Sequence, residues 1–289
     1  MAALSEYRSI VASEWRLLVL REKWHGEVQR QVLDVVRAQI PVRHPQTVQI
    51  RADVGGVDQE FFVKIFHRGG WLTALKDQLR RSRAFNSWQQ GLALNAAGFK
   101  APLAIALGAQ SGWRIARREF VVTERISGAA LPEYLRGDFS GAVALRSKRE
   151  DVKRLARSIR RFHDAGFVHG DLLAGNIFIA SGAERNGDFY FMDNDRTRRY
   201  PSWLRQTLWK RNLIQLNRLP LPAISLQDRM RFLRAYLDVR RLSLSERRFA
   251  RWLESRTRQR RKECDGADPA TNFRQLMHWT PLGEAARER

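Results

Sequence analysis

Cysteine is almost absent from this chain. Cys264 is the only one in 289 residues, so an internal disulfide framework is excluded and a reducing compartment is the natural setting. Long apolar runs are lacking too. No stretch approaches the roughly 18 to 20 apolar residues that a spanning helix needs, and the longest candidate, Ala101 to Ala109, is short and broken by Pro102 and Gly108. The first twenty residues carry Glu6, Arg8, Glu14 and Arg16 among their apolar positions. That pattern suits an amphipathic helix and lacks the unbroken apolar centre of a signal peptide. A membrane, if the chain meets one, is therefore met from the surface. Internal repeats and low-complexity segments are missing. Acidic residues are scarce: 30 Asp and Glu stand against 52 Lys and Arg, a net charge of +22. Such an excess predicts an anionic partner, whether nucleic acid, an acidic membrane face or a polyanionic substrate.

What is present is a globular composition. The apolar fraction is 44% and the charged fraction 28%, enough apolar surface for a true core at a length that suits one large domain or two lobes. Residues 4–38 read as helix. Two β-prone runs, Thr47–Val54 and Phe61–Phe66, flank Gly55-Gly56 and predict a strand, turn, strand unit. A helical pattern over 71–97 ends near Gly98. Arg118–Ile126 reads as a strand that breaks at Ser127-Gly128, and 147–165 as a basic amphipathic helix closing at Gly166. A loop follows, then the strand Asn176–Ile179, a polar turn containing Asn186-Gly187, and the strand Asp188–Met192. From Tyr200 to about Lys262 the pattern is helical. The expected organisation is α+β: a small strand-rich lobe over 1–126 with an N-terminal helix, a larger helical lobe over 127–264, and a polar tail over 265–289.

The chemistry lies in Phe167-Val-His-Gly-Asp-Leu-Leu-Ala-Gly-Asn-Ile-Phe178 and Phe191-Met-Asp-Asn-Asp-Arg196. Phosphoryl transfer needs a carboxylate to orient the attacking hydroxyl and ligands to fix magnesium against the nucleotide phosphates. His169, Asp171, Leu172 and Asn176 match the spacing of a kinase catalytic loop, in which the Asp meets the hydroxyl and the Asn binds metal. A lone His-x-Asp is most often a capped or solvated loop. Here four loop positions, an apolar strand on each side and an acidic pair occur together. Asp193 ends an apolar run where kinases place a metal-binding Asp, and Asp195 would share its face if the strand continued. Lys64 lies mid-strand in Phe61-Phe-Val-Lys-Ile-Phe66, where an unpaired ammonium is costly to bury and where kinases use a lysine on the phosphates. A strand lysine alone is usually a solvent-facing one. Two kinase parts are missing. No glycine-rich loop precedes the first strand, and Asp77 is the only acidic residue between Lys64 and Gly98, so the usual Lys–Glu pair has no glutamate.

The span from about Arg43 to Lys262 resembles the lipopolysaccharide core kinases of Gram-negative bacteria, the Kdo/WaaP (InaA-like) family. The resemblance rests on Phe61–Phe66 and on Arg81-Ser-Arg-Ala84 with Trp88, Gly91, Leu94 and Ala97–Pro102. Val122–Gly128, His169-Gly-Asp171 and Met192–Arg196 add to it, as do Arg211–Asn217 and Asp228–Leu237. It implies a bilobal protein-kinase-like fold and ATP-dependent phosphorylation of a Kdo or heptose hydroxyl of the lipopolysaccharide inner core. It also implies roles. Lys64 binds phosphates, Asp171 acts as base, Asn176 and Asp193 hold Mg2+, and Glu124 to Ser127, Ile126 included, bracket adenine through backbone groups.

The charge then has a use. Between Arg196 and Lys262 twenty Lys or Arg face four Asp or Glu. A charge run is usually a solvated helical face. An acceptor bearing lipid A phosphates and Kdo carboxylates is polyanionic, however, and sits in a membrane leaflet. Basic residues near such a surface contribute about 1 kcal/mol each. The expected place is the cytoplasm, peripheral at the inner face of the cytoplasmic membrane, with Arg256, Arg258, Arg260 and Arg261 as the cluster facing it. No nucleic-acid recognition motif appears, and nucleic acid is not an expected partner. Two rival functions share parts of the pattern. A small-molecule phosphotransferase of the aminoglycoside or choline type usually binds a cationic acceptor in an acidic pocket, against which the basic half argues. A pseudokinase that binds lipid or a partner is disfavoured by the intact Asp171, Asn176 and Asp193.

Overall fold

The computed structural model describes residues 5–40, 42, 44–68, 82–111, 117–137, 139, 141–180, 188–219 and 224–265. By its internal contacts the chain divides into two compact units. The first holds Met1–Ser127 with Phe191–Thr197, the second Gly128–Tyr190 with Arg198–Arg289.

The first unit is built on a six-stranded sheet. Strands β1 (Tyr7–Ala12), β2 (Trp15–Leu20), β3 (Gln46–Asp53), β4 (Asp58–Arg68), β5 (Ala104–Gln110) and β6 (Arg117–Glu124) lie in the order β1-β2-β5-β6-β4-β3. Helix α1 (Gly26–Ala38) and helix α2 (Arg83–Ala96) accompany it. The helix expected over 4–38 forms only in its second half, because residues 7–20 make the β1–β2 hairpin. Trp15, Leu17 and Val19 are buried at alternate positions, a period of two, and β2 pairs antiparallel with β5, the apolar run that starts at Ala104. In α1, Val28, Val32, Leu33 and Val36 recur at helical spacing and are all buried. Each such side chain contributes about 1.5 to 3 kcal/mol on burial.

The β3–β4 hairpin forms as the sequence predicts. Gly55 and Gly56 both take positive φ, +66° and +84°, as a two-residue turn compatible with strand twist requires. Lys64 pairs with Thr47 on one side and Val121 on the other. Of the helix expected over 71–97, the described part starts at Arg83, capped by the Ser82 side chain on the Phe85 N–H at 2.9 Å. Residues 69–81, Asp77 among them, lie outside the described residues, as do the Asn186-Gly187 turn and the tail after Asp265.

The second unit is mainly helical: α3 (Leu131–Leu135), α4 (Ala142–Asp164), α5 (Ser202–Asn217), α6 (Leu226–Leu237) and α7 (Leu244–Asp265). Short strands β7 (Gly128–Ala130), β9 (Ile177–Ala180) and β10 (Phe189–Phe191) form one small sheet, and β8 (Phe167–Val168) pairs with β11 (Arg198–Arg199). Gly128 opens β7 at φ +156°, and a Cβ there would sit 2.1 Å from the Ile179 carbonyl oxygen. Only glycine fits. Helices α4 and α6 are joined by a buried ion pair, Lys148 Nζ lying 3.3 Å from the Asp228 carboxylate, which also takes Arg231 of its own helix at 2.7 Å. Among the described residues, no helix is long and apolar enough to cross a membrane.

Candidate active site

The loop from His169 to Asn176 is shaped by bonds to its own backbone and to α5. His169 is buried, and its Nδ1 accepts the Asp171 N–H at 3.1 Å. The Asn212 side chain grips the His169 backbone twice, accepting its N–H at 3.0 Å and donating to its carbonyl at 2.5 Å. Gln215, one turn on, accepts the Leu172 N–H at 3.2 Å and donates to the Asp171 carboxylate at 3.3 Å. The Asn176 amide nitrogen donates back to the Asp171 carbonyl at 2.8 Å. That bond orients the side chain and leaves its oxygen, a hard donor of the kind magnesium takes. The geometry brings Asp171 and Asn176 together on one rigid loop. Asn212 and Gln215 were not singled out as site residues from the sequence. Their signal was a pair of polar residues three apart on an otherwise mixed helix, which has no meaning until the loop lies against it.

Asn212 also connects the loop to the unit's core. Tyr236 donates to His163 Nδ1 across 2.9 Å, and His163 Nε2 donates to Asn212 Oδ1 across 3.1 Å, the tautomer following from the amide oxygen being an acceptor. Burial pushes the His163 imidazole down from its ordinary 6.5 to about 4, against the Asn212 bond, which acts upward. The folded chain thus keeps His163 neutral down to about pH 4, whereas the unfolded chain protonates it near 6.5. Between those values the unfolded state binds more protons, so this contribution to stability is complete above pH 6.5 and is lost as pH falls towards 4. The whole shift is worth about 3 kcal/mol. Denaturant unfolding followed across this window is expected to show that loss in the wild type and a flatter profile in His163→Gln. Parallel profiles would mean that His163 titrates like a free imidazole.

The first unit carries the other expected residues. Lys64, in the middle of β4, forms an ion pair with Asp193, and its ammonium lies 5.4 Å from the centre of the buried Phe66 ring. The lysine that lacks a helix glutamate is thus paired with the acidic residue after β10. The strand stops at Phe191, two residues before Asp193. Asp193 takes φ 54° and ψ 58°, and Asn194–Arg196 form a single 3-10 turn. Asp195 therefore does not continue a strand face beside Asp193, as the sequence had led us to expect. It is buried, 3% exposed, and paired with Arg83 of α2, whose Nε lies 2.7 Å away. Burial, then the Asp193 charge, pushes the Asp195 carboxyl up from the usual carboxylate range, while Lys64 and Arg83 draw it back.

The expected adenine contacts lie at the end of β6. The Glu124 N–H donates to the Leu103 carbonyl at 3.1 Å and the Arg125 N–H to the Glu60 carbonyl at 3.1 Å. The Glu124 carboxylate pairs with Lys23, and Glu60 pairs with both Arg51 and Arg125. Ile126 follows in irregular backbone, half-buried.

Comparison with known proteins agrees with this layout. The solved structure of WaaP in complex with acyl carrier protein matches 84% of this chain and 98% of that one, at 22% identity and a TM-score of 0.58, a likeness of fold. No curated protein matches. The family model for the lipopolysaccharide kinase (Kdo/WaaP) family matches residues 41–236, from the approach to β3 through nearly all of α6, a span that holds Lys64, Asp171, Asn176 and Asp193. The fold is mixed α/β and kinase-like, the enzyme an ATP-dependent phosphotransferase, and the chain belongs to the lipopolysaccharide kinase (Kdo/WaaP) family.

Proposed function

We propose that this kinase phosphorylates a Kdo or heptose hydroxyl of the lipopolysaccharide inner core, with Mg2+ as its metal. The observation that carries the chemistry is the fixed Asp171–Asn176 loop. Asp171 accepts the hydrogen bond of the acceptor hydroxyl, orients its lone pair and takes its proton as the phosphoryl group transfers. Gln215 keeps that carboxylate in place. Oxygen donors suit magnesium, and Asn176 Oδ1 with the Asp193 carboxylate would hold it. When bound, it neutralises charge on the nucleotide phosphates. Lys64 serves the same phosphates from β4. Since the Glu124 and Arg125 N–H groups are used on the Leu103 and Glu60 carbonyls, Ile126 and Ser127 would offer the backbone donors for the base. Phosphate analysis of lipopolysaccharide from a strain lacking this chain tests the acceptor. Loss of one core phosphate, on Kdo or on heptose, supports the reading and names the sugar; unchanged core phosphate would end it.

The anionic membrane surface belongs to the same reading. Helix α7 buries Leu253, Thr257 and Arg261 and exposes Arg247, Arg248, Arg251, Arg256, Arg258, Arg260 and Lys262. Arg261 must be removed from the expected cluster. It is 1% exposed and donates to the Asn217 carbonyl at 2.6 Å, where Arg229 also binds, so both cap the carboxyl end of α5. Arg248, Arg251 and Lys262 share the outer face by their spacing of three and eleven residues. Replacing these three by glutamine is expected to weaken binding to vesicles of acidic phospholipid by about a hundredfold at low salt. Rising salt should weaken the wild type too, since charges are screened beyond about 10 Å at 0.1 M. Salt-independent binding to neutral vesicles would contradict the electrostatic account.

A carrier-protein partner is a second reading. The WaaP structure contains an acyl carrier protein. The second unit here has a half-open pocket of about 150 Å³ lined by Leu131, Leu155, Leu213, Leu216, Met230 and Leu233 among others, an apolar space of a size for a short acyl group. A rise in melting temperature with acylated but not unacylated carrier protein tests it.

A further inference from the structure

Asp193 takes a left-handed backbone conformation, φ 54° and ψ 58°, which is uncommon for a residue other than glycine. The left-handed region costs such a residue about 1 kcal/mol or more, and it persists where the surroundings over-determine it. Those surroundings are local. The Phe191 N–H donates to the Lys100 carbonyl at 2.8 Å, the Asn194 amide donates to the Phe191 carbonyl at 2.7 Å, and Thr197 Oγ1 donates to Asn194 Oδ1 at 3.1 Å. A further tie is ionic and comes from a helix. Arg83, the first residue of α2, places Nε and Nη2 on one carboxylate oxygen of Asp195 and lies 5.4 Å from the Phe66 ring centre, the same ring that carries the Lys64 ammonium. A carboxylate as buried as Asp195 is stable only when paired in this way.

We propose that Arg83 is a positioning residue for magnesium: by gripping Asp195 it fixes the 3-10 turn that holds Asp193 left-handed, and so sets the direction of the Asp193 carboxylate. In ordinary kinases a helix glutamate pairs with the strand lysine. In this chain the helix residue is basic, the strand lysine pairs with Asp193, and the helix reaches the metal-binding segment through Asp195. The inference rests on Asp193 being a metal ligand, as read above. Supporting groups of this kind are worth about ten- to a hundredfold in metal affinity.

The test is Mn2+ binding to the full chain in the presence of ATP, read by electron paramagnetic resonance, with melting temperature measured alongside. Arg83→Met and Asp195→Asn are each expected to weaken Mn2+ by about ten- to a hundredfold. The double variant should be no worse than either single one, because the two residues act as a pair. Arg83→Lys, which keeps the charge and loses the two-pronged contact, should fall in between, and it decides the matter if Arg83→Met does not fold. A folded Arg83 variant with unchanged Mn2+ affinity and only a lower melting temperature would overturn the proposal, leaving Arg83–Asp195 a structural ion pair. Asp193→Ala separates the two readings. If it loses Mn2+ while Arg83→Met keeps it, the positioning role alone fails. If Asp193→Ala keeps Mn2+, the metal-ligand reading fails and takes this inference with it.

Discussion

Replacing Asp171 by Asn is expected to remove roughly two to four decades of turnover, the usual scale for a positioned base, and to leave the fold intact. The side chains match in shape. The loop around Asp171 is held by groups the substitution does not touch: Asn212 on the His169 backbone, His169 Nδ1 on the Asp171 N–H, and Asn176 on the Asp171 carbonyl. Only the bond from Gln215 reaches the altered group, and the amide oxygen of Asn can still accept it. What is lost is a negative charge and a proton acceptor where the hydroxyl must be oriented. Steady-state transfer with a melting curve on the same preparation checks both halves. Turnover within about threefold of wild type would show that another residue orients the hydroxyl.

The second large effect is on metal and nucleotide together. Asp193→Ala is expected to abolish the magnesium-dependent part of ATP binding while leaving the weak, metal-independent part. The substitution deletes a carboxylate two residues beyond β10 and frees the Lys64 ammonium from its partner. The freed cation would raise affinity for bare nucleotide slightly, which makes the loss of metal dependence easier to see. Calorimetric titration of ATP with and without Mg2+ separates the two parts. Equal magnesium dependence in wild type and variant would remove Asp193 from the site.

Much of this arrangement was legible before any coordinates, for physical reasons. The His169–Asn176 loop is a local object: His169, Asp171 and Asn176 lie within eight residues, and their bonds to one another are short-range. The β3–β4 hairpin announces itself because Gly55-Gly56 is a turn chemistry that few alternatives satisfy. The misses are long-range. Residues 7–20 carry charges at spacings that suit a helix, and only pairing with β5, some ninety residues away, makes the alternation of Trp15, Leu17 and Val19 decisive. Asp195 would share the face of Asp193 only if the strand continued past it. The backbone turns there, and its partner Arg83 lies 112 residues earlier. Arg261 looked like one of a run of surface cations. Its burial depends on the end of α5, 44 residues back. Asn212 and Gln215 were hidden for the same reason.

The most direct test of the central claim is transfer of labelled phosphate from ATP to three acceptors in parallel: Kdo–lipid A, an aminoglycoside and a generic protein. The account predicts label on the sugar of Kdo–lipid A with the wild-type chain, dependent on magnesium and lost in Asp171→Asn, and none on the other two. Label on the aminoglycoside or the protein with Kdo–lipid A untouched, or transfer undiminished in Asp171→Asn, would contradict it.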